Sequence, residues 1–137
     1  MIGVLLVTHG PLGGNLIDAA AHVLGATPPL IEALDVSSRA DPEEVEASIT
    51  RRMRALDKGN GVLVLTDIYG ATPSNCMCRA LAPGHTAGVS GVNLPMLLKT
   101  LNYRDLPLDQ LAEKAALGGR EGISIISLDM CNAATGN

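Results

Sequence analysis

A chain of 137 residues with 47% hydrophobic content is the size of one domain and carries enough apolar mass for a sizeable core. Ten basic against fourteen acidic residues give a formal charge of -4, which argues against a nucleic-acid partner. The lack of Phe and Trp, with only Tyr69 and Tyr103 as aromatics, removes any surface on which single-stranded bases could stack. No apolar run approaches the roughly 18 residues of a membrane span, and a first basic residue as late as Arg39 does not suit a signal peptide, so a soluble, cytoplasmic chain is expected.

The first element, Ile2 to Val7, is apolar without alternation, as a strand buried on both faces should be. Gly13 and Gly14 then let the chain turn, and Asn15 to Leu24 predicts a helix with Leu16, Ile17, Ala20, Val23 and Leu24 on its inner stripe, stopped by Gly25. Leu30 to Val36 reads as a second strand nearer the sheet edge, because Glu32 and Asp35 interrupt it.

Asp41-Pro42-Glu43-Glu44 is a helix start with an aspartate cap and proline at the first helical position; Val45, Ile49, Met53 and Leu56 form the inner stripe that follows. Glu43, Glu44 and Glu46 precede Arg51, Arg52 and Arg54 on the same helix, the pattern of a solvated face. Gly61 to Thr66 is the third strand. Thr72-Pro73 repeats the cap-plus-proline signal, so a helix should begin at or just after Thr72 and run through Leu81.

A fourth strand, His85 to Ser90, leads into Gly91-Val92-Asn93-Leu94-Pro95 and a helix from Pro95 to Leu101. Leu108 to Leu117 predicts one more helix, with Leu108, Leu111, Ala112, Ala115 and Ala116 inward and Gly118-Gly119 as its stop. Ile123 to Leu128 predicts a final strand, antiparallel because so short a turn precedes it, and residues 129–137 a frayed tail. The alternation of strands and helices specifies an α/β domain over residues 1–128, doubly wound around a mostly parallel sheet.

Cys76, Cys78 and Cys131 are odd in number and form no C-x-x-C pair, which fits a reducing setting; Cys76 and Cys78, two apart on one helix, point to opposite sides. His22 and His85 have no matching carboxylate spacing. Neither a metal site nor a cofactor is expected.

In a doubly wound sheet of order 2-1-3-4 the ligand site lies beyond the carboxyl ends of strands one and three. His9 follows the first and Asp67 the third. Taken singly, each has an ordinary reading: a satisfied histidine at a strand end, a turn aspartate, and for Thr72 a helix cap. Taken together, they suit phosphoryl carriage. An aspartate that fixes the imidazole tautomer frees the other ring nitrogen to attack. Amides near Gly10 and from Ala71 to Ser74, the Thr72 hydroxyl and the positive end of the following helix could surround the phosphoryl oxygens, with Pro73 contributing no N–H.

These motifs resemble the mannose-type enzyme IIA family of the bacterial phosphoenolpyruvate-dependent sugar phosphotransferase system. The likeness is carried by Thr8-His9-Gly10, by Asp67-Ile68-Tyr69-Gly70-Ala71-Thr72-Pro73-Ser74-Asn75, by Gly91-Val92-Asn93-Leu94-Pro95-Met96-Leu97 and by Gly119-Arg120-Glu121-Gly122-Ile123. The resemblance implies that His9 takes a phosphoryl group from the histidine phosphocarrier protein and passes it to a IIB component, with Asp67 orienting the ring. It further implies that Gly70, Thr72 and Asn75 bind the group, that Asn93, Pro95 and Met96 frame the site, and that the fifth strand is exchanged between subunits of a homodimer.

Ala71 stands where the family loop commonly has a second glycine, and Thr72 where serine is usual. No IIB domain follows in the sequence, so the acceptor is expected to be a separate polypeptide linked to a membrane permease, which would bring this chain to the inner membrane only peripherally. Two other readings stand beside it: a regulatory protein that reports phosphoenolpyruvate supply, which shares the His9 chemistry, and the phosphoryl-donor subunit for dihydroxyacetone phosphorylation, which shares the fold.

Overall fold

The computed structural model describes residues 1–136. Four strands, β1 (Gly3–His9), β2 (Ile31–Val36), β3 (Val62–Thr66) and β4 (Thr86–Ser90), form one parallel sheet in the expected order β2-β1-β3-β4. The register pairs Val7 of β1 with Thr66 of β3, so the residues that follow the two strands emerge side by side. The described residues also form six helices: α1 (Leu12–Leu24), α2 (Pro42–Leu56), α3 (Thr72–Ala80), α4 (Leu94–Asn102), α5 (Leu108–Glu121) and α6 (Leu128–Thr135).

Strand alternation divides the core into two layers. Leu5, Val7, Val62 and Val64 pack with Val45, Ile49 and Met53 of α2 and Met77 of α3 on one face. Val4, Leu6, Leu63 and Leu65 pack with Ala20 of α1, Leu97 of α4 and Leu111 of α5 on the other. Each Leu or Ile taken fully out of water here contributes roughly 1.5–3 kcal/mol. His9, two residues beyond Val7, therefore leaves the sheet on the α2–α3 side.

At the opposite end of the sheet, Arg104 is 4% exposed. Its guanidinium donates to three carbonyls: Nε to Ile2 at 2.8 Å, and the two terminal nitrogens to Pro29 at 2.5 Å and Leu30 at 2.7 Å. One side chain thus ties the α4–α5 turn to the starts of β1 and β2. On the other flank, Arg79 of α3 bonds Glu46 of α2 at 3.0 Å, fixing one helix against the other.

Several boundaries differ from expectation for identifiable reasons. α1 begins at Leu12 rather than Asn15, and its last two stripe residues, Val23 and Leu24, are 58% and 42% exposed because the helix outruns the sheet. α5 continues through Gly118 and Gly119 to Glu121. These glycines serve as contact points: a Cβ on Gly118 would lie 2.7 Å from that of Lys99, and one on Gly119 2.8 Å from the Met96 terminal methyl. At Gly122 a Cβ would fall 2.2 Å from that of Pro95. A helix axis this close to its neighbour leaves room only for hydrogen.

The expected fifth strand is absent. A strand needs a neighbour to take its backbone N–H and C=O groups, and residues 123–127 have none within one chain; Ile123, Ile125 and Ile126 are 76%, 94% and 72% exposed. The tail expected to fray is instead the helix α6, whose start is capped by Ser127 Oγ accepting from the Met130 amide at 3.2 Å. None of its residues is buried. Residue 137 of that tail lies outside the described residues.

Candidate functional site

β1 and β3 deliver His9 and Asp67 to the same point. Asp67 Oδ2 accepts from the His9 ring Nδ1 at 2.9 Å and from the His9 amide at 3.0 Å. Its Oδ1 accepts from the Ile68 amide at 3.0 Å and from Thr66 Oγ1 at 3.4 Å. With an ionised acceptor on Nδ1, the ring proton sits there and the Nε2 lone pair is free. The His9 side chain is 53% exposed and that of Asp67 only 13%, so the imidazole faces solvent while the carboxylate lies beneath it.

Burial pushes the Asp67 carboxyl up, but the hydrogen bonds from the His9 ring and amide, with the charge of His9, outweigh it and hold the group below the ordinary carboxylate range. Because the folded value lies below the unfolded one, the stability that this group contributes is complete above about pH 4 and is lost as pH falls through the folded value. A carboxyl NMR titration should therefore place Asp67 below the free-aspartate midpoint in the native chain, and His9→Ala should move it upward. An unchanged midpoint in the variant would dissociate the shift from His9.

The turn after His9 is built by Thr8, a member of the Thr8-His9-Gly10 motif to which the sequence assigns no role of its own. Its buried Oγ1 accepts from the Gly13 amide at 2.9 Å and lies 3.3 Å from the Gly10 carbonyl, to which it donates. Gly10 holds φ +52 with open space around it, and its amide donates to Val36 at 3.0 Å. Gly10 therefore shapes the turn, and its N–H is already engaged.

On the facing loop, Gly70 has φ +87 and also borders open space. α3 starts at Thr72, within the expected bounds, but the cap falls one residue earlier: Ala71 occupies the N-cap, Thr72 the first helical position and Pro73 the second. Ala71 has no side chain that can cap, so the amides of Thr72 and Ser74 have no intrahelical partner. α1 likewise starts without a side-chain cap at its Pro11 N-cap. By contrast, α2, α4 and α6 are capped by Asp41, Asn93 and Ser127. The N-terminus of α3, equivalent to roughly half a positive charge, thus stays open beside an exposed imidazole, whereas in the first turn of α1 the Gly13 amide is taken by Thr8 Oγ1.

The remaining expected residues divide. Thr72 and Asn75 are exposed on the first turn of α3, and the Asn75 amide is already bonded to Ala71 at 2.9 Å. Ser74 Oγ is fully buried without a hydrogen-bond partner, which leaves only its amide for the site. A buried hydroxyl without a partner costs about 1–3 kcal/mol. Ser74→Ala should consequently raise stability by about 1 kcal/mol in urea unfolding, and a loss of stability would show that the hydroxyl has a partner in solution.

Asn93, Pro95 and Met96 are spent elsewhere. Asn93 Oδ1 accepts from the Met96 amide at 2.8 Å and its Nδ2 donates to the Gly119 carbonyl at 3.1 Å, while Pro95 abuts Gly122. These residues make the α4–α5 joint, and the small cavity that Asn93 and Met96 line, with Ser90, Gly91 and Arg120, includes neither His9 nor Asp67. His22 and His85 are both exposed and away from the pair. Among the described residues, no group of three or more His, Cys, Asp or Glu side chains could hold a metal ion, and no helix is long and apolar enough to cross a membrane.

A family model described as the PTS system fructose IIA component matches residues 3–116, which include both site strands, the His9 turn and the Asp67 loop. The chain belongs to this mannose/fructose-type IIA family. It is 30% identical over 128 residues to the mannose-specific EIIAB component of Escherichia coli, an alignment that covers 91% of this chain and 39% of that protein. It is 27% identical to the fructose-specific EIIA component of Bacillus subtilis, covering 96% of this chain and 88% of the relative. Among solved structures, the mannose/sorbose-specific IIA subunit from Enterococcus faecalis superposes with a TM-score of 0.81 at 21% identity over 93% of this chain and 96% of that one. The IIA fold is thus shared over nearly the whole chain.

Proposed function

We propose that this IIA component is a phosphoryl carrier of a sugar phosphotransferase system, with His9 as the residue that bears the group. The carrying observation is that a single oxygen, Asp67 Oδ2, holds both the ring Nδ1 and the amide of His9. The Nε2 lone pair attacks the phosphorus of a phosphohistidine on the donor, the histidine phosphocarrier protein. The N–P bond in the donor breaks as the new one forms, and the Nδ1 proton stays on His9, facing Asp67. The amides of Gly70, Ala71, Thr72 and Ser74, the Thr72 hydroxyl and the Asn75 side chain surround the equatorial oxygens, and the open end of α3 offsets their charge. The reverse sequence delivers the group to a separate IIB component and, through it, to a membrane permease. No cofactor is needed, and the chain works in the cytoplasm.

Incubation of the purified chain with phosphoenolpyruvate, enzyme I and the phosphocarrier protein, followed by intact-mass measurement, should give one acid-labile phosphoryl group on His9. Absence of label, or equal labelling after His9→Ala, would sink the proposal.

The carrier is also proposed to be a homodimer in which residues 123–128 add an antiparallel strand to the free edge of the partner's β4. Such exchange would cover the three exposed isoleucines and pair the otherwise open edge strand. A groove lined by Gly88, Val89 and Ser90 of β4 and Ala112 and Ala116 of α5 borders that edge. A monomeric mass at micromolar concentration in analytical ultracentrifugation would count against exchange.

A further inference from the structure

α6 has no role in the exchange just described, yet its position and surface fit one specific place. Residues 123–127 match β4, Thr86–Ser90, in length. An arm laid antiparallel along that edge brings Ser127 to the Thr86 end, and α6 starts at the next residue. Its Leu128, Cys131 and Thr135 recur at helical spacing along one side, and Leu128 and Met130 are 76% and 48% exposed. The helix is about 12 Å long at 1.5 Å per residue.

At the Thr86 end of β4, on the α2 side, lies a groove of about 390 Å³. Met53, Ala80 and Ala82 give it an apolar floor, and Arg54 and His85 stand on its rim. Arg54 has no ion-pair partner among the described residues. Asp57, also at the rim, has its Oδ1 engaged by the amides of Gly59 at 2.8 Å and Gly61 at 3.1 Å. The cavity on the other side of the same strand end is lined by Asp109 with no basic side chain to offset it, whereas the α2-side groove sets Arg54 against Asp57 and so offers a partner to Asp129 in the first turn of α6.

We propose that α6 of one copy docks in the α2-side groove of a second copy, with its Leu128–Cys131 side on Met53, Ala80 and Ala82 and Asp129 facing Arg54. This rests on the exchanged dimer proposed above and adds a second, helical contact to it. The interface would then combine a shared sheet edge with a docked helix, which buries the apolar surface that the isolated chain leaves in water.

The native Cys131 supplies the test. In full-length chain carrying Cys78→Ser and Ala82→Cys, mild oxidation should yield a covalent dimer that disappears when Cys131→Ser is added. Arg54→Glu should weaken the dimer about tenfold in sedimentation equilibrium, a change of about 1.4 kcal/mol, and Asp129→Lys should restore it. A sedimenting dimer that gives no covalent product, or only a disulfide within one chain, overturns the docking and leaves the exchange standing. A monomeric chain overturns both, and neither result bears on phosphoryl labelling of His9.

Discussion

Asp67→Asn is expected to slow acceptance of a phosphoryl group by His9 at least about a hundredfold in single-turnover labelling, with little change in thermal stability. In the native site one carboxylate receives four donors, two of them from His9. An amide can accept through a single oxygen only, and its NH₂ group would face Thr66, Ile68 or the ring as a competing donor. The Nδ1–H tautomer then loses its charged partner, and Nε2 is no longer held as the nucleophile. The positive charge that develops on the ring as the N–P bond forms also loses its counter-charge. His9→Gln should abolish labelling outright, whereas Asp67→Asn should leave a slow reaction at the same residue. A rate within twofold of the native one would mean that Asp67 does not orient the ring.

The largest stability effect is expected at Arg104, far from that chemistry. Arg104→Leu removes the donor from the carbonyls of Ile2, Pro29 and Leu30, which lie where water cannot replace it easily. A buried carbonyl left without its donor costs about 1–3 kcal/mol, and three are affected at once, a large share of the 5–15 kcal/mol that roughly bounds the stability of a native domain. Urea unfolding should show the loss as a lowered midpoint at unchanged slope. Arg104→Lys should recover only part of it, because a single ammonium cannot reproduce a planar fork that reaches three acceptors. Native-like stability in the leucine variant would assign the turn's position to Leu106 and Leu108 packing instead.

What the sequence made legible was the part of the molecule governed by local rules. The unbroken apolar runs of β1 and β3 announced strands buried on both faces, and Asp41-Pro42 announced α2. Those strands, placed in the switch-point order, bring His9 and Asp67 to one crevice. The rest was less legible for a different reason: the roles of these residues depend on neighbours that local rules do not see. Gly118 and Gly119 read as a helix stop because their real use is to admit Lys99 and Met96 of α4. Thr72 read as a cap, but the cap falls one residue earlier, at Ala71, which leaves the amides open. Ile123 to Leu128 has the composition of a strand, but pairing is a property of two segments, and one chain supplies only one. Asn93 carries a motif signal whose geometry serves the α4–α5 joint.

The single carboxylate contact between His9 and Asp67 spans 58 residues of chain. It cannot form until β1 and β3 lie side by side, and parallel pairing at that separation comes late because loop closure precedes any reward in contacts. A chain leaving the ribosome, or one partly unfolded by heat, would hold His9 without the carboxylate that fixes its ring and apart from the open end of α3. On the role proposed for it, the reactivity of His9 is therefore a test of the folded state itself, so that a misfolded copy would drop out of the relay rather than take up a phosphoryl group it could not pass on.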